Sequence, residues 1–304
     1  MLLSKAIKGY LLDAAAGELS TSTSRVYKYY LRIFLGYLGD VELEKIMGED
    51  LVEYLVYLRT DYKPNRPSGD ISPLSYSALD NHWKCLRSFF GWCERILEIE
   101  RPDKYLPRPK GKVPEVRPFS QDDIKALVDG CLKGGVASRP TGARDKAIIM
   151  LMLDTGIRIG ELLRLRVGDA NIESGEVYIR PFESSIKSKS RTVFIGKATR
   201  RIIWMHLSER DSLVPESPLF DIRYQAIRMV LRRLGERVGV DRVRPHRFRH
   251  TFAIQYLRNG GDVFTLQRLL GHSSLEMVRH YLRLADADAE DAHRRASPVD
   301  RWGL

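Results

Sequence analysis

Four side chains near the C-terminal end of this chain are of types that could carry out chemistry together. His246 and Arg249 stand three residues apart, so a helix would place both on one face, one turn apart. His272 follows a second apolar run, and Tyr281 comes nine residues later. Arginine pairs with phosphate oxygens, imidazoles donate or move protons near neutral pH, and a tyrosine hydroxyl can act as a nucleophile. The joint pattern favours phosphoryl transfer, although each residue alone would more often be an ordinary helix side chain.

A further arginine lies upstream, in the segment TGIRIGEL at residues 155–162. Here Arg158 precedes Glu161 by three residues, so on a short helix the two side chains can touch. From spacing alone, the pair is best interpreted as an exposed ion pair worth about 0.5 kcal/mol.

These segments together resemble a known family of enzymes. HRFRH at residues 246–250, LLGHSS at 269–274 and the following Tyr281, with TGIRIGEL upstream, are similar to the motifs of the tyrosine recombinases, which include phage integrases and Xer proteins. The resemblance rests on specific motifs over residues 117–283, and on a helical N-terminal domain typical of the family over residues 1–97.

The resemblance implies a role for each motif residue. Tyr281 is expected to attack a DNA phosphodiester and form a covalent phosphotyrosine, which conserves the bond energy for rejoining. Arg158 and Arg249 would neutralise the oxygens of the phosphorane, and His272 would donate a further hydrogen bond. His246 would help to manage the tyrosine proton. The resemblance also implies that Glu161, the acid beside Arg158, orients neighbouring catalytic groups, which reverses the preference for an exposed ion pair at these two residues.

A predicted β-hairpin carries the remaining candidate. Residues 176–182 and 192–195 are β-branched or alternating runs that flank a cationic tip. The tip could simply be a soluble charged turn, but the family keeps a catalytic lysine on such a hairpin. Alignment on Lys-Ser-Arg-Thr-Val places the usual lysine at Ile186, so Lys187 is the nearest candidate for protonating the departing 5′-oxygen. Lys189 remains an alternative.

Length and pattern predict two domains. The chain has 304 residues, of which 43% are hydrophobic, enough for two packed cores. Residues 1–105 are expected to form an N-terminal DNA clamp, residues 106–117 a proline-rich cationic linker, and residues 118–304 the catalytic domain with a tail helix from about residue 286. We therefore expect a mostly α fold. As the resemblance implies, a four-helix SAM-like core-binding domain would precede a mainly helical catalytic domain with a small antiparallel β-sheet.

Charge and composition indicate a polyanionic partner. The formal net charge is +11, which favours double-stranded DNA as that partner. No apolar run is long enough to span a bilayer, and three cysteines cannot form a disulfide framework, so we expect a cytoplasmic protein without membrane contact.

His246 and His250 have the spacing of a zinc pair, but Arg247 stands where a metalloprotease glutamate would be. No metal or cofactor is expected.

The predicted function is that of a site-specific DNA recombinase of the integrase or transposase type. A Xer-type resolvase of chromosome or plasmid dimers is the alternative. A metal-dependent nuclease and a non-catalytic DNA-binding protein are the competitors from other classes. The family resemblance further implies a tetramer on DNA, in which the tail docks on a neighbouring protomer. From sequence alone, packing of the tail on its own domain is equally well supported.

Overall fold

The fold is described from a computed structural model over residues 1–17, 21–66, 69–111, 117–132, 141–181 and 190–271, and at five later positions: Tyr281, His293, Ser297, Val299 and Trp302. The chain divides into two compact units, Met1–Glu115 and Val116–Leu304. The described part is mostly helical with one two-stranded antiparallel sheet, so the predicted fold class is confirmed.

The first unit is a bundle of helices. Its helices are α1 (Leu3–Ala16), α2 (Thr21–Leu38), α3 (Gly48–Thr60) and α4 (Tyr76–Leu97). The longest of them, α4, begins after Ser75, whose hydroxyl accepts the backbone N–H of Ala78 at 3.3 Å. Its buried face carries Phe89, Phe90 and Trp92, as the density of aromatic residues in this segment predicts.

Two polar features complete the core of the first unit. The Tyr54 hydroxyl is hydrogen-bonded to Nδ1 of buried His82 at 3.0 Å, so both polar groups are satisfied away from water. After α4 the chain packs back onto the bundle, because Leu106 is buried and Arg108 pairs with Asp80 at 2.7 Å. The segment predicted to be a linker at residues 106–117 thus begins with residues that contact the first unit.

The second unit contains the remaining helices and the sheet. Its elements are α5 (Gln121–Leu132), α6 (Thr141–Thr155), α7 (Ile159–Leu162), β1 (Glu176–Ile179), β2 (Arg191–Phe194), α8 (Lys197–Ser208), α9 (Tyr224–Val238), α10 (Pro245–Arg258) and α11 (Val263–Leu270). A large apolar cluster from α5, α6, the sheet, α8 and α9 forms the main core.

Local sequence signals fix the helix ends that matter for the site. Helix α6 ends at Thr155, and the next residue, Gly156, has a φ of +61°, which lies in the left-handed region and suits a residue without Cβ. Pro245 occupies the first turn of α10, where its missing N–H costs nothing. The Asp262 side chain accepts two backbone N–H groups at the start of α11, and Gly271 ends that helix with φ of +62°.

The sheet is a short antiparallel hairpin. Glu176 pairs with Phe194 and Ile179 with Arg191, which leaves residues 180–190 to connect the strands. Val177 and Val193 lie opposite each other and are fully buried, so this face of the hairpin packs on the core. The hairpin predicted from sequence is therefore confirmed, although its cationic tip falls outside the described residues.

The predicted tail helix from about residue 286 lies largely outside the described residues. None of the helices in the described ranges is long and apolar enough to cross a membrane.

Candidate active site

Helix α10 places His246 and Arg249 at its first turns. His246 lies at the surface, whereas Arg249 is buried. The Arg249 guanidinium donates to the carbonyls of Gly156 and Leu270, each at 2.7 Å. These two carbonyls are at the C-terminal ends of α6 and α11, where helices leave unpaired acceptors that attract cations. Arg249 therefore joins three helices at one point.

Arg158 reaches the same point from the loop after α6. It is the N-cap residue of α7, with an extended backbone, so the expectation that Arg158 itself belongs to the short helix is wrong. Its guanidinium donates to Glu161 at 3.1 Å and to the Gly271 carbonyl at 3.2 Å. The side chain keeps 39% of its surface exposed, which leaves part of the fork open to a ligand.

Glu161 is buried between two arginines, so the surface ion pair suggested by spacing alone is wrong. One carboxylate oxygen accepts the backbone N–H of Arg158 at 3.0 Å, as a capping acid does. The carboxylate also forms a double hydrogen bond with Arg191, at 3.0 and 2.7 Å. Burial alone raises the pKa of Glu161, but the hydrogen bonds and charge of Arg191, with help from Arg158, outweigh it and lower the pKa to about 2.

The pKa values of Arg249 and His246 are both lowered. Burial, followed by the charge of Arg158, lowers the pKa of Arg249 to about 10, so this guanidinium stays protonated at neutral pH. His246 is exposed at the surface, but its ring is partly desolvated by neighbouring protein atoms. This desolvation, with the charges of Arg249 and Arg158, lowers the pKa of His246 from its ordinary 6.5. His246 is therefore neutral at pH 7 and can accept a proton.

Tyr281 lies in the apolar cluster formed by α10 and α11. The residue is 5% exposed and packs with Phe252, Leu266 and Leu270. Its ring lies 5.3 Å from that of His250, centroid to centroid. Burial raises the pKa of Tyr281, while the nearby charges of Arg249 and Arg158 act to lower it, and the net shift is upward. A nucleophile in this setting needs a proton acceptor, because its hydroxyl is neutral at pH 7.

The structure thus brings together four of the six predicted site residues. These are Arg158, Arg249, His246 and Tyr281. Both arginines bond carbonyls at the end of α11, Tyr281 belongs to the cluster that contains Leu270, and the charges of the two arginines act on His246 and Tyr281. Lys187 and its alternative Lys189 fall outside the described residues, as does His272.

Sequence reasoning missed two features of this site. Arg191, at the start of β2, belongs to the motif used for alignment but received no role, although it bonds Glu161 and the Leu269 carbonyl. The backbone carbonyls that hold Arg158 and Arg249 have no sequence signature. Within the described ranges, no three His, Cys, Asp or Glu side chains gather into a metal-binding group.

The arrangement suits transfer of a phosphoryl group. Two arginines of fixed position can neutralise charge that develops on phosphate oxygens, and a buried tyrosine lies within the influence of both charges. A neutral imidazole beside them can take up a proton.

Comparison with known proteins agrees with this chemistry. The model of the phage integrase family matches residues 117–288. The tyrosine recombinase XerA of Saccharolobus solfataricus is 29% identical, over 94% of this chain and 89% of its own length. Two solved structures share the fold. The Tn1549 transposon integrase in complex with circular intermediate DNA aligns with a TM-score of 0.73, 16% identity, and 92% and 95% coverage. The lambda integrase dimer bound to a core site aligns with a TM-score of 0.70, 17% identity, and 92% and 77% coverage.

The fold and the site define a DNA strand-transfer enzyme. With more than half of its length matched, the chain belongs to the phage integrase family of tyrosine recombinases. It is a site-specific DNA recombinase, which cleaves and religates DNA strands.

Proposed function

We propose that this chain cuts and rejoins double-stranded DNA through a covalent 3′-phosphotyrosine intermediate on Tyr281. The observation that carries the proposal is that Tyr281 is buried in the same cluster as Leu270, at the end of α11 where the carbonyls of Leu270 and Gly271 hold Arg249 and Arg158. In the cleavage step, Tyr281 Oη bonds to phosphorus as the bond from phosphorus to the 5′-oxygen breaks. The phosphotyrosine keeps the energy of the broken bond, so a second strand's 5′-hydroxyl can reverse the step without a cofactor.

The two arginines bind the phosphate differently. Arg158 is partly exposed and has room on its fork for a phosphate oxygen, whereas Arg249 is buried and acts mainly through a fixed charge. Their anchoring by backbone carbonyls keeps them in place before the substrate arrives, which is the condition for electrostatic catalysis.

Proton transfer is divided among the remaining groups. Because its pKa lies below 6.5, His246 is neutral at working pH and accepts the tyrosine proton. In line with the family resemblance, Lys187 protonates the departing 5′-oxygen, with Lys189 as the alternative, and His272 donates to the phosphorane.

We further propose a tetramer on DNA. Residues 1–105 form the clamp, residues 106–117 the linker and residues 118–304 the catalytic domain. The tail from about residue 286 docks on a neighbouring protomer. Support comes from Val299 and Trp302, which are 54% and 73% exposed and need an apolar partner surface. A groove of about 880 Å³ in the second unit, lined by aromatic residues that include Phe194 and Phe252, offers such a surface.

For the biological role we propose an integrase or transposon recombinase, acting in the cytoplasm on a mobile element. The likeness of fold to the Tn1549 transposon integrase supports this role. A Xer-type resolvase is the second candidate, supported by the nearly full-length match to XerA. Sequencing the fragments of source-cell genomic DNA captured by the Tyr281→Phe chain decides between them. A mobile-element end supports the first role, and a chromosomal dimer-resolution site supports the second.

The nucleophile is tested on a nicked duplex carrying the captured sequence. Tyr281→Phe should bind this DNA like the wild type yet form no covalent adduct in denaturing gels, because only the hydroxyl is lost. Tyr256→Phe is the matched control, since Tyr256 belongs to the same apolar cluster. It should form the adduct at a rate within about threefold of wild type. An adduct that persists in the Tyr281→Phe chain would contradict the proposal.

A further inference from the structure

Arg191 makes three hydrogen bonds near the proposed active site. Its side chain is 10% exposed, and its guanidinium donates in two directions. Nε donates to the Leu269 carbonyl at 2.7 Å, while both terminal nitrogens donate to Glu161. Arg191 thereby ties strand β2 to α7 and to the last turn of α11.

Glu161 is shared unequally between its two arginines. With Arg191 it forms a bidentate pair at 3.0 and 2.7 Å, the geometry of the strongest guanidinium-carboxylate pairs. With the Arg158 side chain it has a single hydrogen bond at 3.1 Å. The exposed fractions follow the same order, since Arg191 is 10% exposed and Arg158 39%. Most of the carboxylate charge is therefore taken up by Arg191.

The unequal sharing of Glu161 between Arg191 and Arg158 determines how much positive charge Arg158 can present to a phosphate. A carboxylate with Arg158 as its only cationic partner would draw that guanidinium into a bidentate pair and cancel its positive charge. With Arg191, Arg249 and Arg158 around one carboxylate, the cluster carries two net positive charges. That net charge suits a phosphorane whose oxygens gain negative charge in the transition state.

We propose that Arg191 is a positioning residue that occupies Glu161 and so leaves the charge of Arg158 available to the scissile phosphate. The inference rests on the proposed function, in which Arg158 binds that phosphate. Arg191 itself is too buried to touch DNA, so it acts through Glu161 and Arg158. Its bond to Leu269 also holds the end of α11, two residues before Gly271, which accepts from Arg158.

The hairpin supplies a matched control. Arg180 follows β1 and pairs with Asp169, a carboxylate that is 2% exposed, at 2.7 Å. Asp169 accepts the backbone N–H of Arg166 at 2.9 Å. Like Glu161, Asp169 is a buried acid that accepts the backbone N–H of its N-cap residue and a guanidinium from the hairpin, although Arg180 is 48% exposed and contacts Oδ1 of Asp169.

The test is a double-mutant cycle of single-turnover cleavage on the nicked duplex described above. Arg191→Gln should bind DNA within about threefold of wild type but cleave roughly 100-fold more slowly, the effect of losing one transition-state donor. Adding Glu161→Gln should then restore cleavage by about tenfold or more, because the charge that sequesters Arg158 is gone. Arg191→Lys, which keeps the charge, should cleave faster than Arg191→Gln.

The outcomes separate the two proposals. A double variant no faster than Arg191→Gln would mean a merely structural role and would overturn the assignment of Arg191 alone. Absence of any adduct in the wild type would overturn the proposed function, and this assignment with it.

A second comparison covers the case in which Arg191→Gln fails to fold. The single variant Glu161→Gln and the double variant that also carries Arg191→Gln should cleave at rates within about threefold of each other. Without the Glu161 carboxylate, Arg191 has no negative charge to neutralise. A further loss of about tenfold or more would overturn the assignment. In the control pair, adding Asp169→Asn to Arg180→Gln should not raise the cleavage rate in the way expected when Glu161→Gln is added to Arg191→Gln.

Discussion

Two buried acids in the second unit have the same local design and different surroundings. Glu161 and Asp169 each stand three residues after the N-cap of a short helical turn. Each accepts the backbone N–H of its N-cap residue, Arg158 at 3.0 Å and Arg166 at 2.9 Å. Each also accepts a guanidinium from the β-hairpin, at 2.7 Å in both cases.

The difference lies in the side chain of the N-cap arginine. The Arg158 side chain turns back onto Glu161 and onto the end of α11, where Arg249 is also held. Arg166 is exposed, and its contact with Asp169 is through the backbone. The same capping arrangement thus anchors the end of β1 at Asp169, and at Glu161 it contributes to the proposed phosphate site. In the proposed mechanism, the added arginine side chain and the helix ends that meet it make the functional difference.

Removal of the Arg158 guanidinium should have the largest effect on the cleavage rate. Arg158→Met should lower the single-turnover cleavage rate by roughly 100- to 1,000-fold, since one donor to the developing phosphorane charge is lost. Arg166→Met is the matched control, because it stands at the same place in the other capping turn, and it should cleave within about twofold of wild type. Equal losses in the two variants would remove the distinction between the two acids.

The pH dependence of cleavage should distinguish Glu161 from His246. Glu161, with a pKa of about 2, stays ionised down to acidic pH, so it cannot cause a loss of activity near pH 6. In the proposed mechanism His246 must be neutral to accept the tyrosine proton, and its pKa is lowered from 6.5. The rate should therefore be constant just below pH 7. It should then fall by about tenfold per pH unit below the pKa of His246.

The control for this fall in the cleavage rate at acidic pH is His246→Gln. Its cleavage should be slow throughout but nearly independent of pH between 5 and 7. If the cleavage rate of this variant fell with decreasing pH as it does in the wild type, a group other than His246 would be responsible for the pH dependence.

The smallest effect on catalysis is expected at the second acid. Arg180→Gln removes the hairpin partner of Asp169, so thermal unfolding of the variant should begin at a lower temperature than in the wild type. Cleavage at a temperature where both proteins are folded should agree within about twofold, because Asp169 contacts no predicted catalytic arginine. A large fall in the cleavage rate of the folded variant would contradict this view.

Much of the scaffold could be predicted from local sequence signals. The end of α6 at Gly156 and the start of α10 at Pro245 follow from backbone chemistry that these residues impose. The shared face of His246 and Arg249 follows from helical spacing. These are properties of neighbours in sequence, which is why the pattern alone suffices.

The rest of the site depends on contacts that are distant in sequence. Arg191 meets Glu161 across 30 residues, and Arg249 meets Gly156 across 93. No local pattern distinguishes a buried, shared carboxylate from the exposed ion pair that spacing suggests at Arg158 and Glu161. Backbone carbonyls are present at every residue, so their use as acceptors becomes visible only in the folded unit.

The most direct test of the account is to locate the covalent bond. Wild-type protein trapped on the nicked duplex is digested with nuclease and protease, and the nucleotide-bearing peptide is sequenced by mass spectrometry. We predict that the nucleotide is attached through its 3′-phosphate to Tyr281, with a free 5′-hydroxyl on the released strand. Attachment to any other residue, or a 5′-linked phosphate, would contradict the account.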